Sequence, residues 1–148
     1  MIPTQSPTAL PQVQRAIFQA LNGDTLYRAM CAVYDDVPES AAYPYTTIGE
    51  AIETPDRTMG QGGHQVLVML STYTRDGSQD VAGIGTAGFA PGLAIMRKQT
   101  ELLVETPLLV EDFDVVMVEV ETIETSRAAD GVTRIVDARY RLWLEDAA

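Results

Sequence analysis

The chain of 148 residues is predicted to form a single α+β domain, in which a small, mostly antiparallel sheet carries helices on one face. Three observations predict this class. Two helical stretches open the chain, alternating apolar segments typical of strands fill its middle and its end, and one further helical stripe separates the two groups of strands. A chain of this length buries roughly 68–70% of its unfolded surface, so it needs neither a metal ion nor a disulfide to fold.

The first helices are predicted from apolar spacing and from capping residues. Pro11 suits the first position of a helix, where a missing N–H costs nothing. Asn22-Gly23 ends this helix, and Asp24 is a suitable cap for a second helix over residues 25–31. One buried stripe of the first helix is formed by Val13, Ala16, Ile17, Ala20 and Leu21. The polar residues 1–10, with two prolines, are expected to form a flexible arm ahead of a domain over residues 11–148.

Five segments have the composition of strands, and they cover residues 33–37, 43–50, 64–74, 115–123 and 132–144. The 64–74 segment is apolar on both faces, which predicts a central strand. Residues 50–63 between two strands are polar and rich in Gly and Pro, so they are predicted to form a long loop. A helical stripe from Pro91 onward consists of Leu93, Ile95, Met96, Leu102 and Leu103, with Gln99 and Thr100 interrupting it.

The last two strands are predicted to form a hairpin with a defined register. Ala129-Asp130-Gly131 is a suitable three-residue loop, because Gly131 provides the positive φ of the bulge position. The resulting pairs are Ala128 with Val132, Glu121 with Arg139, Val120 with Tyr140, Glu119 with Arg141, and Val118 with Leu142. A shift by one residue would exchange charged and apolar positions, so both faces favour this register.

The residues that could carry chemistry have simpler structural interpretations. Gly83 to Gly88 match the G-x-G-x-x-G pattern of dinucleotide-binding sites. In such sites the pattern links a strand directly to a helix within a βαβ unit, and the sequence around these glycines does not predict that arrangement. We therefore expect a flexible or broken helix here. The single histidine, His64, is expected to be a solvated residue at a strand end, and the single cysteine, Cys31, a small buried apolar residue. Glu111, Asp112 and Asp114 lack the spacing of a calcium loop. We therefore expect no catalytic centre, cofactor or metal.

The net charge of −11 bears on partners. Binding to the outside of a nucleic acid needs clustered Lys and Arg, and the ten basic residues are scattered along the chain. The longest apolar run is interrupted by Asp80, several glycines and Pro91, and the N-terminus lacks the pattern of a secretion signal. The sequence predicts no membrane span and synthesis in the cytoplasm.

A run of short motifs between Leu26 and Gly49 resembles a known family. Its motifs are Leu26-Tyr27, Val33-Tyr34, Val37-Pro38, Pro44-Tyr45 and Ile48-Gly49. They are similar to those of the tail completion or tail-terminator proteins of long-tailed bacteriophages. The resemblance implies a structural virion protein and not an enzyme: a homohexameric ring that caps the tail tube, joins it to the neck of the head, and lets DNA pass without specific binding. Residues 83–92 depart from the family, which usually has a more continuous helix there.

The predicted long loop is the expected contact with a neighbouring subunit or with the tube. The expected contact residues are Thr54, Asp56, Arg57, Met59 and Gln61. Two alternatives remain open at this point. The first is another structural subunit, either a neck protein such as a head-closure protein or a tail-tube-like protein. The second, ranked after both structural interpretations, is a small enzyme.

Overall fold

A computed structural model describes residues 8–56, 62–78, 80 and 82–147. The helices are α1 (Leu10–Asn22), α2 (Thr25–Met30) and α3 (Ala90–Thr100), and α3 continues as a π-helical turn over Glu101–Glu105. The strands are β1 (Ala32–Tyr34), β2 (Tyr45–Pro55), β3 (Gly63–Arg75), β4 (Phe113–Arg127) and β5 (Thr133–Asp146). This is the predicted α+β class.

The five strands form one sheet in the order β1-β2-β3-β5-β4. Only β1 and β2 are parallel, and the other neighbours are antiparallel. The sheet is therefore mostly antiparallel, and β3 lies at its centre, as the sequence predicted. The two edges differ in length, because β1 has three residues and β4 has fifteen.

One face of the sheet, here called the helix face, carries the core. Alternate residues of β3 and β5 point to it and are nearly inaccessible to solvent, including Val66, Val68, Leu70, Ala138, Tyr140, Leu142 and Leu144. The helices contribute Val13, Ile17, Leu21, Ile95 and Leu103 to the same cluster. Burial of these side chains is the main source of stability. The opposite face, here called the open face, has intermediate exposure along β3 and β5.

The opening helices follow the predicted capping. Pro11 lies in the first turn of α1, and the carboxylate of Asp24 accepts the Tyr27 N–H at 2.9 Å at the start of α2. The expected arm is only partly described: Ala9 is fully buried and Leu10 begins α1, so both belong to the packed domain. Residues 1–7 lie outside the described residues, and the arm stays a prediction for them.

The bounds of the first two strands differ from those predicted. The predicted strand over residues 33–37 is shorter, because β1 ends at Tyr34. The predicted loop over residues 50–63 is wrong at its start, since β2 continues to Pro55 and pairs that residue with His64. The polar residues of this stretch lie mostly on exposed positions of a regular ladder, which is why their composition resembles that of a loop.

Helix α3 is turned differently from the prediction. Leu93 is 38% exposed, whereas Gln99, predicted to interrupt the apolar stripe, is fully buried. The amide of Gln99 donates to the hydroxyls of Thr72 at 2.8 Å and Tyr27 at 2.9 Å. Gly92 permits this close approach of α3 to the sheet, since a Cβ on it would lie 2.8 Å from a methyl group of Val136.

The β4–β5 hairpin keeps three of the predicted pairs, Val118 with Leu142, Glu119 with Arg141 and Val120 with Tyr140. The pairs Glu121 with Arg139 and Ala128 with Val132 are wrong. Ala128 donates its N–H to the carbonyl of Thr133 at 2.9 Å, so the loop has one more residue than predicted. A bulge at Glu121 compensates for this residue, and Thr122 takes the place opposite Arg139.

The side chain of Asp130 explains the longer hairpin loop. Its carboxylate accepts the hydroxyl of Thr133 at 2.6 Å and the N–H groups of Thr133 and Val132 at 2.8 and 2.9 Å. These hydrogen bonds, led by that of the Thr133 hydroxyl, lower the pKa of Asp130 to about 2. A three-residue loop would not place both N–H groups around one carboxylate oxygen.

Candidate functional site

Two of the predicted contact residues, Thr54 and Asp56, lie at the end of β2, next to the start of β3. Thr54 pairs with Gln65 on the open face of the sheet. Asp56 follows the last residue of β2 and donates its N–H to the carbonyl of Gly63 at 2.9 Å. Arg57, Met59 and Gln61 lie outside the described residues. The structure thus positions two of the five residues at one tip of the subunit, and their role in contacts stays a prediction.

His64 at this same tip is not the solvated residue that was expected, because only 8% of it is exposed. Its Nδ1 lies 3.1 Å from Oε2 of Glu53, and its Nε2 lies 2.9 Å from Oδ1 of Asp146. The ring also meets the edge of the Phe113 ring, with centroids 5.2 Å apart. We call Glu53, His64 and Asp146 the tip cluster. It joins β2, β3 and β5 on the helix face.

The electrostatics of the tip cluster favour a charged imidazole. Burial by itself lowers the pKa of His64, but the hydrogen bonds to Asp146 and Glu53 and the charges of both carboxylates outweigh burial and raise it above its usual value. Sequence reasoning missed the cluster because its members are 11 and 82 residues apart. A histidine at the start of a strand was the only signal, and it does not reveal its partners.

A group of four tyrosines lies at the opposite end of β2 and β3. Tyr45 stacks on Tyr73 with ring centroids 5.1 Å apart, and it also contacts Tyr43 and Tyr34 at 5.1 and 6.0 Å. The guanidinium of Arg75 lies 4.5 Å from the centroid of the Tyr43 ring. All four rings are partly exposed. Tyrosine-rich surfaces of this kind are enriched in protein–protein contacts.

The edge strand β4 is the most exposed element of the sheet. Its large exposed apolar side chains are Val116, Met117 and Ile123, which are 56%, 47% and 47% accessible. Its carboxylates Glu119, Glu121 and Glu124 are exposed as well. Because β4 has a partner on one side only, its outer backbone groups are open to pairing within the part of the chain that the structure describes.

The remaining candidate groups that the structure describes have structural partners. Gly85 and Gly88 donate their N–H groups to the carboxylates of Asp80 and Asp76 at 2.9 and 3.0 Å, so two carboxylates occupy the place where a phosphate would bind. Helix α3 begins only at Ala90, and the expected broken helix is a series of turns there. Burial raises the pKa of Cys31 to about 11, which keeps its thiol protonated.

The described residues contain no group of three or more His, Cys, Asp or Glu side chains that could hold a metal ion. Within the same residues, none of the helices is both long and apolar enough to span a membrane. What the described surface does offer is an open sheet face, a long edge strand and a tyrosine group. Surfaces of this kind suit contacts with other protein chains.

Comparison with known proteins specifies the kind of subunit. The model of the family described as tail completion protein gp17 matches residues 15–145, and the chain belongs to this family. The family consists of structural tail-completion proteins of phage virions and is not a family of enzymes. None of the curated proteins matches the chain.

Two solved structures share the fold. A chain in the virion of the native gene transfer agent particle is 22% identical, with a TM-score of 0.70, and the match covers 95% of this chain and 99% of that one. The gp17 protein of bacteriophage SPP1 is 21% identical, with a TM-score of 0.57, and the match covers 95% of both chains. The resemblance inferred from residues 26–49 is thereby confirmed at the level of the family and of the fold.

Proposed function

We propose that the protein is a tail terminator: copies of it form a homohexameric ring that caps the finished tail tube and joins it to the neck of the head. Family membership over residues 15–145 carries this proposal. We further propose that assembly takes place in the host cytoplasm and that DNA passes through the ring without specific binding. The partners are then other copies of this chain, the tube protein and a head-completion protein.

The two edges of the sheet support a ring. A head-to-tail contact uses two different surfaces of each subunit, and it closes into a ring when the rotation between neighbours closes. Here one edge is the long strand β4, which has exposed apolar residues. The other edge is the short strand β1, which ends at Tyr34 of the tyrosine group. Two such unlike edges suit contacts of this type.

We also propose that the tip of the β2–β3 hairpin contacts the tube or a neighbouring subunit. The residues concerned are Thr54, Asp56, Arg57, Met59 and Gln61. The support is the place of Thr54 and Asp56, which lie where β2 ends at one end of the described sheet. Replacing residues 57–61 by an equally long Gly-Ser segment removes the side chains and leaves β2 and β3 intact.

The experiment measures the native mass of the purified protein alone and after mixing with tail tubes that lack it. A subunit that forms rings on tube ends and stops further growth supports termination. Spontaneous stacking into long tubes would instead identify a tube-like protein, and attachment to heads without any effect on tubes would identify another neck subunit. Either of these results would overturn the proposal.

The hairpin-tip variant is tested in the same mixture. We expect it to remain folded, as judged by circular dichroism, but to leave tails that do not attach to heads. A matched control replaces Glu39 by Ser and Ser40 by Gly, two residues exposed in a different turn, and should behave as the unmodified protein. Normal joining by the 57–61 variant would show that this tip is only a spacer.

A further inference from the structure

The tip cluster joins elements that are far apart in the sequence. Glu53 near the end of β2 and Asp146 at the end of β5 both contact the ring of His64 at the start of β3. The other carboxylate oxygen of Glu53, Oε1, accepts the N–H of Ala9 at 2.7 Å and the hydroxyl of Thr8 at 3.1 Å. The residues that precede α1 are therefore held to the sheet through Glu53.

The end of β5 is held in a similar way. Asp146 donates its N–H to the carbonyl of Gly62 at 2.9 Å, and its carboxylate covers Gly62 so closely that a Cβ there would lie 2.5 Å from Oδ2. The next residue, Ala147, donates its N–H to the carbonyl of Asp112 at 3.0 Å. Backbone hydrogen bonds therefore hold the end of β5 to Gly62 and Asp112, and the Asp146 carboxylate adds its contacts with His64 and Gly62.

When both carboxylates are ionised, only the charged form of His64 donates a hydrogen bond to each of them. A neutral imidazole has one N–H and one bare nitrogen, so it donates to one carboxylate and turns a lone pair toward the other. The imidazolium donates to both. Among the described residues, the titratable side chains that contact the ring are Glu53 from β2 and Asp146 from β5, while β4 contributes the uncharged Phe113.

We propose that His64 is a proton-operated latch: through Glu53 and Asp146, its imidazolium strengthens the attachment of the residues that precede α1 and of the end of β5 to the sheet, and loss of the proton weakens both attachments. The inference goes beyond the proposed role in tail joining, because it concerns the folded subunit alone and holds in the absence of any ring or tube.

The direction of the pH dependence follows from the raised pKa of His64. The latch is fully fastened below the pKa of an unfolded histidine, about 6.5. It opens as the pH rises through the higher pKa of His64 in the folded chain.

Because His64 is the only histidine, its titration can be read without ambiguity from the imidazole ¹³Cε1–¹H signal of a protein made without a histidine tag. We expect the midpoint of the His64 titration to lie above about pH 6.5, the pKa of an unfolded histidine. Over the same pH range the exchange protection of the Ala9 amide, corrected for the intrinsic rate, should fall by about tenfold, because its acceptor Glu53 is no longer held by a charged partner. The amide of Leu70 in the central strand should show no such change.

Two variants separate the latch from a merely structural contact. Asp146→Asn and Glu53→Gln should each lower the His64 midpoint, whereas Glu121→Gln, whose carboxylate pairs with Arg141 on the exposed hairpin, should not. His64→Gln should leave the protection of Ala9 independent of pH. A His64 midpoint at or below about 6.5, or protection of Ala9 that does not follow the titration, would overturn the proposal.

Discussion

Gln99 shows how a single polar residue fixes the position of a helix over a sheet. Its amide nitrogen donates to the hydroxyls of Tyr27 and Thr72, and its amide oxygen accepts the hydroxyl of Tyr140 at 3.3 Å. The Tyr27 hydroxyl also lies 2.7 Å from that of Thr46. The contacts connect α2, α3 and three strands in the core, where unpaired hydroxyls would be costly.

We predict that Gln99→Leu destabilises the protein by about 2–4 kcal/mol, although leucine has a similar size and is apolar. The reason is that the hydroxyls of Tyr27, Thr72 and Tyr140 lose a partner while they stay buried. The measurement is the free energy of unfolding in urea. Gln19→Leu, on an exposed position of α1, is the matched control and should change stability by less than about 0.5 kcal/mol. Equal effects of the two variants would contradict the role assigned to Gln99.

At the scale of elements, the β4–β5 hairpin combines a long loop with a compensating bulge. The ladder is regular from Thr122 to Arg127 and again from Met117 to Val120, and Glu121 is the extra residue between the two halves. Its carboxylate reaches Arg141 at 2.6 and 2.7 Å. The bulged residue therefore lies on an edge strand, where it contributes one exposed ion pair.

We predict that deletion of Glu121 is tolerated, because the pairs on both sides of the bulge then form one continuous ladder. The expected loss is that of the exposed pair with Arg141, about 0.2–1 kcal/mol. Deletion of Asp137 in β5 is the control. Asp137 pairs with β3 on one side and with β4 on the other, in regular ladders. Its deletion moves the side chains that follow it in β5 to the opposite face of the sheet, so it should lower the free energy of unfolding by more than about 4 kcal/mol. The urea concentration at the midpoint of unfolding measures the stability of both deletion variants. Severe destabilisation by the Glu121 deletion would show that the bulge is required.

The sequence predicted the elements whose burial follows a simple period. Helix α1 is recognisable because one of its faces is consistently apolar, and strand β3 because apolar residues dominate both of its faces. The extension of β2 to Pro55 was not predictable in this way, since Glu53 and Thr54 are polar and the ladder they form depends on pairing with β3. The tip cluster was missed for a related reason, because residues distant in sequence meet only once the sheet has formed.

At the scale of the whole molecule, the dominant feature is the excess of acidic residues, 21 against 10 basic ones. Several of the basic residues already contact carboxylates in the described part of the chain. These ion pairs are Arg15 with Glu111, Arg75 with Asp130, Lys98 with Glu101, Arg134 with Asp76 and Arg141 with Glu121. Such pairing leaves less positive charge for phosphates, which suits a proposed ring that DNA must pass without adhering to it.

We predict that the protein does not bind duplex DNA measurably at an ionic strength of about 0.15 M, the physiological value. Fluorescence anisotropy of a labelled duplex is the measurement. A variant in which Glu119, Glu121 and Glu124 of the exposed strand β4 are changed to Lys is the control, because it creates a local basic surface and should bind with an affinity that falls as salt is added. Binding by the unmodified protein with a comparable salt dependence would mean that its few basic residues form a DNA-contacting surface in spite of the net charge. It would also contradict passage of DNA without adhesion.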